Sequence, residues 1–193
     1  SVPESTNVTI NGVESVETLE PTGRYTTIEN NNNGGYIQGV EIAFTQTMSY
    51  LPGLLSGFGV SAHASWNDSE ITVENEDFGA LDAATLPYPG LAEYSGAVTL
   101  FWEYEGFEVR YSTRYQDSKS STNLSVFGGN IIDDAEMVSD FQASYAMDNG
   151  VNILFQVQNV TDEPHTRYWG DENLTGNIQY FGRQIYLGAS YSF

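Results

Sequence analysis

Tyr94-Ser95-Gly96-Ala97-Val98-Thr99-Leu100-Phe101-Trp102-Glu103-Tyr104 runs through Glu105-Gly106 into Phe107-Glu108-Val109-Arg110-Tyr111-Ser112-Thr113-Arg114-Tyr115-Gln116. In the first run Tyr94, Gly96, Val98, Leu100, Trp102 and Tyr104 alternate with Ser95, Ala97, Thr99, Phe101 and Glu103. In the second, Phe107, Val109, Tyr111, Thr113 and Tyr115 alternate with Glu108, Arg110, Ser112, Arg114 and Gln116. A period of two belongs to a strand with unlike faces, because successive side chains leave a pleated backbone on opposite sides. Two such runs joined by a two-residue link containing Gly read as a β-hairpin.

The same alternation recurs on both sides. Tyr36, Val40, Ile42, Phe44, Met48 and Tyr50 oppose Gly39, Glu41, Ala43, Thr45, Thr47 and Ser49. Phe58, Val60, Ala62, Ala64 and Trp66 oppose Ser61, His63, Ser65, Asn67 and Ser69. Phe141, Ala143, Tyr145 and Met147 oppose Asp140, Gln142 and Ser144. Val151, Ile153, Phe155 and Val157 oppose Asn152, Gln156 and Gln158, and Ile185, Leu187, Ala189, Tyr191 and Phe193 oppose Gln184, Tyr186, Gly188, Ser190 and Ser192. Strands are expected near 36–50, 57–73, 92–105, 107–118, 135–147, 151–160 and 178–193. No segment carries a comparable helical period. The expected class is all-β, an antiparallel up-and-down meander.

The connections alternate in length. Those at 51–57, 105–106 and 148–150 are short, the last carrying the Asn149-Gly150 hairpin signal. Those at 74–90, 118–134 and 161–177 are long and acidic, with Glu74-Asn75-Glu76-Asp77, Asp133-Asp134, Asp162-Glu163 and Asp171-Glu172. All short links therefore fall at one end of the strands and all long ones at the other. Residues 1–33 are expected to be mainly a long loop on the long-loop side.

Composition narrows the function classes. Six Lys+Arg against 26 Asp+Glu give a net charge of −20, which removes the basic face that nucleic acid requires. With 0 Cys there is no disulfide scaffold, thiolate metal site or cysteine nucleophile. The 2 histidines, His63 and His165, are far apart in sequence, so no multi-histidine metal site is expected. Tyr 13, Phe 10 and Trp 3 make the chain too aromatic for an acidic disordered one. Ser1-Val2-Pro3-Glu4 has neither the basic nor the apolar region of a signal peptide.

A meander with one apolar and one polar face occurs in two settings. In a soluble sandwich the apolar face meets a second sheet; in an outer-membrane barrel it meets lipid and the polar face meets a lumen. Long strands, short turns at one end and long loops at the other favour the barrel. So do the aromatics Tyr50, Phe58, Trp102, Tyr104, Phe107, Tyr145, Tyr191 and Phe193, which flank the short turns as an interfacial girdle would. Seven strands are fewer than such a barrel has, and odd in number, so a section of a larger barrel is expected. Val98, Leu100, Val109, Tyr111, Phe141, Ile153, Phe155 and Leu187 are then expected to face lipid. The alternative is a soluble, secreted β-sandwich that binds carbohydrate.

Several stretches, in order, resemble TonB-dependent outer-membrane receptors. Gly35-Tyr36-Ile37-Gln38-Gly39-Val40-Glu41 resembles a strand start of that family. Leu51-Pro52-Gly53 with Gly57-Phe58-Gly59-Val60 resembles the turn and strand after it, and Ser65-Trp66-Asn67-Asp68-Ser69 its strand end. Val157-Gln158-Asn159-Val160-Thr161-Asp162-Glu163-Pro164 is similar to the stretch before the last loop, and Phe181-Gly182-Arg183 through Phe193 to the final strand. The resemblance runs from about residue 24 to the end. It implies the last seven or so strands of a 22-stranded transmembrane β-barrel in the outer membrane of a Gram-negative bacterium. The N-terminal plug and the remaining barrel strands have no counterpart here. The implied role is TonB-energised uptake of a scarce nutrient: carbohydrate, another organic nutrient, or iron-siderophore. The implied partners are the lipid bilayer and lipopolysaccharide, the plug, TonB through the N-terminal part, and the barrel-assembly machinery through the last strand, with Phe193 and Tyr191 as its signal.

No catalytic constellation emerges, and no cofactor or metal is expected. His63, Ser65 and Asp68 are strand neighbours rather than a triad. Glu41, His63, Arg110, Arg114 and Asp140 are expected to face the lumen or the plug, with Arg110 and Arg114 set to pair with acids such as Glu41, Glu103, Glu108 or Asp140, or with a plug. Tyr88, Phe127, Tyr168 and Trp169 are the loop aromatics able to stack on a flat ligand, and Asp171 and Glu172 could hold hydroxyls or a cation. Loop packing is the favoured explanation of the same aromatics.

Overall fold

The computed structural model describes residues 4–10, 13–19, 34–73, 84–121 and 131–193, the first two segments by their backbone alone. The chain divides into two compact units, Ser1–Asn32 and Asn33–Phe193. In the first, β1 (Glu4–Ile10) and β2 (Val13–Leu19) pair antiparallel with Ile10 opposite Val13. The stretch expected to be mainly loop thus contains a hairpin. Its signal was present in sequence, since Asn11-Gly12 separates the two strands.

The second unit is built on one large sheet. Its main strands are β3 (Gly35–Thr47), β4 (Phe58–Val73), β6 (Tyr94–Tyr104), β7 (Phe107–Gln116), β10 (Glu136–Ala146), β11 (Val151–Gln158) and β14 (Gln184–Tyr191). They lie in the order β14-β11-β10-β7-β6-β4-β3, so each main strand pairs with the main strand before it. This is the antiparallel meander expected from the alternation. A short β5 (Ala84–Leu86) extends the far end of β4. Among the described residues β3 and β14 each have one partner strand, and both are exposed along their whole length.

The short links close tightly. Between β3 and β4, Met48 N–H donates to Phe58 O at 2.8 Å around the 3-10 turn Gly53–Gly57. Between β6 and β7, Glu105 and Gly106 both take positive φ, 45° and 82°. That is the pairing a two-residue hairpin needs for its twist to match the strands. Gly106 O then accepts from Ala146 N–H and Gly150 O from Ser192 N–H, so each turn continues the ladder of the next strand.

The long links are less irregular than expected. β8 (Lys119–Ser120), β9 (Ile131–Asp133), β12 (His165–Trp169) and β13 (Asp171–Gln179) form a separate four-stranded sheet in the order β13-β12-β9-β8. It ties the link after β7 to the link after β11. The last main strand accordingly begins at Gln184, not near 178, because residues 178–179 belong to β13 and Gly182 turns the chain at φ 73°.

Burial is sparse. Among the described residues only Ala92 and Tyr168 are buried hydrophobics. Within the second unit, no other described strand covers the apolar face of the large sheet, and Ile42, Leu100 and Leu187 on it are exposed.

Candidate functional site

Register makes the two faces explicit. Across one row Val60, Leu100, Tyr111, Phe141, Val157 and Ile185 are successive cross-strand partners; across the next, Phe58, Trp102, Val109, Ala143, Phe155 and Leu187. The residues expected to share the apolar face all do. Leu100 is 55% exposed and Leu187 79%. Toward the short turns this face ends in a band of rings. Phe58–Trp102, Trp102–Tyr104 and Phe107–Tyr145 lie with centroids 6.4, 6.1 and 4.1 Å apart, and Tyr191–Phe193 6.3 Å apart. Trp102 Nε1 donates to Leu54 O at 2.8 Å. A second ring-bearing row, which the sequence reading passed over, closes the other end. Trp66 faces Tyr94, Tyr115 faces Gly96 and Met137, and Tyr36 Oη donates to Asp68 at 3.1 Å.

Glu41, His63, Arg110, Arg114 and Asp140 all lie on the opposite face, where the cross-strand pairs include Glu41–Ser65, Ala97–Arg114 and Ser112–Asp140. Hydroxyl pairs bridge the same face, Thr45–Ser61 at 3.0 Å and Ser65–Ser95 at 2.7 Å. Arg110 joins Glu103, at 3.0 Å, and Glu108, which are themselves directly opposed like charges. Its guanidinium also lies 5.7 Å from the Phe101 ring centroid, and that ring covers Gly59. Arg110→Met should therefore leave Glu103 facing Glu108 without a bridge. Both members of the pair are about half exposed, so the expected loss is only about 0–1 kcal/mol. Glu103→Gln should recover it, as a double-mutant cycle in denaturant melts would show.

Arg114 Nη1 is 3.8 Å from Asp140 Oδ2, an ion pair too long for a hydrogen bond. Asp140 Oδ1 instead accepts from Asn159 N–H at 2.9 Å. Asn159 is the hub of the exit from β11. Its φ is 53°, a left-handed conformation that Asn tolerates better than most residues. Its Nδ2 donates to Glu163 O at 3.0 Å and its Oδ1 accepts from Glu163 N–H at 2.8 Å. The side chain thus closes the 159–163 turn upon itself. The motif-like stretch around it owes its Asn to this clamp.

Beside the clamp a cavity of about 350 Å³ opens on the polar face at the long-loop end; its lining includes Arg114, Glu136, Val138, Asp140, His165 and Phe181. His165 Nδ1 is 3.4 Å from Glu136, and its other nitrogen is 3.7 Å from Asp133. Arg167 Nε donates to Asp133 at 2.5 Å. The His165–Glu136 pair ties β12 to β10 of the main sheet, and the two pairs to Asp133 tie β12 to β9 within the four-stranded sheet.

The loop candidates do not converge there. Tyr168 is only 7% exposed, so its ring is a packing element of the four-stranded sheet and is not available to stack on a ligand. Trp169 is 39% exposed and its indole packs over Gly176 across the β12–β13 hairpin. Tyr88 is exposed on a different link, and Glu172 is exposed on β13. Phe127 and the side chain of Asp171 lie outside the described residues. Glu136, Gln158, Glu163, His165 and Phe181 were missed as a group because they come from three segments that only the folded sheet brings together.

Burial, followed by the charges of Asp134 and Glu172, pushes the Tyr168 phenol above its usual range. Below about pH 10 the phenol is protonated in both folded and unfolded chain and contributes no pH dependence. As pH rises past that value the unfolded chain ionises first, so the four-stranded sheet should loosen. Amide exchange across 165–179 should show this in the parent and not in Tyr168→Phe.

In comparisons with family models, with curated proteins and with solved structures, no match to this chain was found.

Proposed function

We propose that this chain is a wall section of an outer-membrane active-transport receptor, the C-terminal strands of a TonB-dependent β-barrel that imports a scarce nutrient. The observation that carries the reading is the exposed apolar face bounded by two aromatic rows. Tyr94 and Tyr104 stand at opposite ends of β6. Their ten-residue separation spans about 33 Å at roughly 3.3 Å per residue. At a strand tilt of about 35–45°, that gives roughly 23–27 Å, against an apolar band of about 25 Å in outer-membrane barrels. Rings whose one edge is apolar and the other wet suit both boundaries of such a band.

In this reading the short turns are periplasmic, and the acidic links and four-stranded sheet are extracellular. The polar face lines the lumen against a plug. The open edges of β3 and β14 take the remaining barrel strands, because a membrane-spanning sheet must satisfy every backbone group. The chain supplies wall and loops; energy coupling through TonB belongs to parts outside it.

The test is fractionation of cells producing the intact protein. The expected result is recovery in the outer membrane after a urea wash, with heat-dependent gel mobility. Recovery as a soluble monomer without detergent would support the carbohydrate-binding sandwich instead.

A further inference from the structure

We propose that the turn between β3 and β4 is a membrane foot, whose Leu54 and Leu55 insert into the headgroup–acyl boundary of the periplasmic phospholipid leaflet. The proposal rests on the receptor reading for the leaflet that the short turns meet, and it names a lipid contact outside the strands. This link differs from the other two short ones. Those at 105–106 and 148–150 are tight and carry Glu105 and Asp148. This one runs through 51–57 with a 3-10 turn at Gly53–Gly57, and it presents apolar side chains outward. Tyr50 is 72% exposed, Leu54 59% and Leu55 50%.

Trp102 decides which way the turn leans. Its side chain belongs to the apolar row with Phe58 and Val109, and its Nε1 donates to Leu54 O at 2.8 Å. The turn is therefore drawn over the apolar side of the sheet, not the polar one. Gly57 permits the close approach, since a Cβ there would collide with Glu103 O and stand 3.2 Å from the Trp102 indole nitrogen. The Phe58 and Trp102 rings, 6.4 Å apart, join the leucines to the ring band at the short-turn end.

Two features suit lipid better than water or a protein partner. The turn satisfies its own backbone: Leu55 N–H donates to Pro52 O at 3.3 Å, Ser56 Oγ to Gly53 O at 2.7 Å and Phe58 N–H to Leu55 O. With Trp102 on Leu54 O, the carbonyls of 52–55 are all bonded within the chain. A solvated turn has water for such groups, whereas an unpaired one at an apolar boundary is costly. Charge is missing as well. From Ile42 through Asn67 the sequence holds no Asp, Glu, Lys or Arg, in a chain that is 17% charged with a net −20. A partner protein would find no charge there to fix its orientation. An anionic phospholipid surface would meet no carboxylate to repel it.

The experiment takes Leu54→Cys, Leu55→Cys, Leu100→Cys and Asp148→Cys, one at a time, in the intact protein. Each is labelled with an environment-sensitive fluorophore in phospholipid vesicles and quenched with iodide or with spin-labelled phosphatidylcholine, the spin label being near the headgroup or deep in the chain. Heat-dependent gel mobility shows that each variant keeps the fold. At 54 and 55 the shallow spin label should quench more than the deep one, as insertion by about 5–10 Å requires. Iodide should quench there far less than at Asp148, an exposed turn residue. Leu54→Ser combined with Leu55→Ser should shift the unfolding equilibrium in vesicles by roughly tenfold or more, as withdrawal of two inserted leucines would. Solvated leucines would barely move it. Iodide quenching at 54 and 55 equal to that at 148, shielding from iodide and lipid alike as a protein partner would give, or an unchanged equilibrium in the serine variant would overturn the proposal. Lipid quenching at 100 without lipid quenching at 54 and 55 would remove the foot and leave the receptor reading. Lipid quenching at 54 and 55 without lipid quenching at 100 would do the reverse, making the turn a peripheral anchor.

Discussion

Arginine at Leu100 or Leu187 is expected to cost roughly 2–4 kcal/mol of stability in membrane-assembled protein if the site lies near the bilayer midplane, and less near an interface. Both side chains stand on the exposed apolar face, and both have apolar cross-strand partners, Leu100 with Tyr111 and Leu187 with Phe155. A guanidinium there would have neither water nor a carboxylate within reach. Arginine at Thr99 is the control. Thr99 lies one residue along β6 on the polar face, opposite Ser61 and Ser112. Reversible unfolding of the protein in phospholipid vesicles measures the difference. Equal tolerance at Leu100 and Thr99 would defeat the assignment of faces.

On the proposed receptor reading, deleting Phe193 is expected to lower the amount of protein assembled in the outer membrane more than it lowers uptake per assembled molecule. Phe193 is fully exposed and stands beside Tyr191 at the short-turn end, remote from the cavity and the four-stranded sheet. β14 pairs with β11 on one side only. A long exposed edge of this kind is an association hazard until it is covered. The 193-residue chain alone should therefore aggregate or pair edge to edge in buffer, and detergent or the remaining strands should suppress this. Surface-exposed receptor and uptake, measured side by side, decide the first point; normal assembly with lost uptake would contradict it.

The main strands were legible because one face of each had to be apolar and the other polar, and a period of two survives in sequence even without a packed core. Their boundaries came out within a few residues, except at β14. There Ile178 and Gln179 continue an extended run that the fold assigns to β13, and only the turn at Gly182 separates the two. The β1–β2 hairpin was legible through Asn11-Gly12 and was passed over among the asparagines that follow. The four-stranded sheet was not legible. β8 and β9 are two and three residues long, too short to show a period, and form because β12 pairs with β9 across the chain. The polar-face residues followed directly from alternation, and Arg110 and Arg114 do meet three of the acids expected of them. The cavity did not follow, since Arg114, Asn159 and Phe181 become neighbours only through the β7–β10–β11–β14 register. Gly39 shows a further limit. Its role is a close approach, a Cβ there meeting Trp66 O at 2.6 Å, which no single-strand pattern reveals.

The most direct test of the central claim exploits the absence of cysteine from the chain. Single cysteines placed in turn at 97–103 of the intact protein, in native outer membranes, can be titrated with a membrane-impermeant maleimide and with a lipid-soluble one. The account predicts strict alternation. Positions 98, 100 and 102 should react only with the lipid-soluble reagent, and 97, 99, 101 and 103 with the aqueous one. Uniform reaction of all seven positions with the aqueous reagent would contradict it.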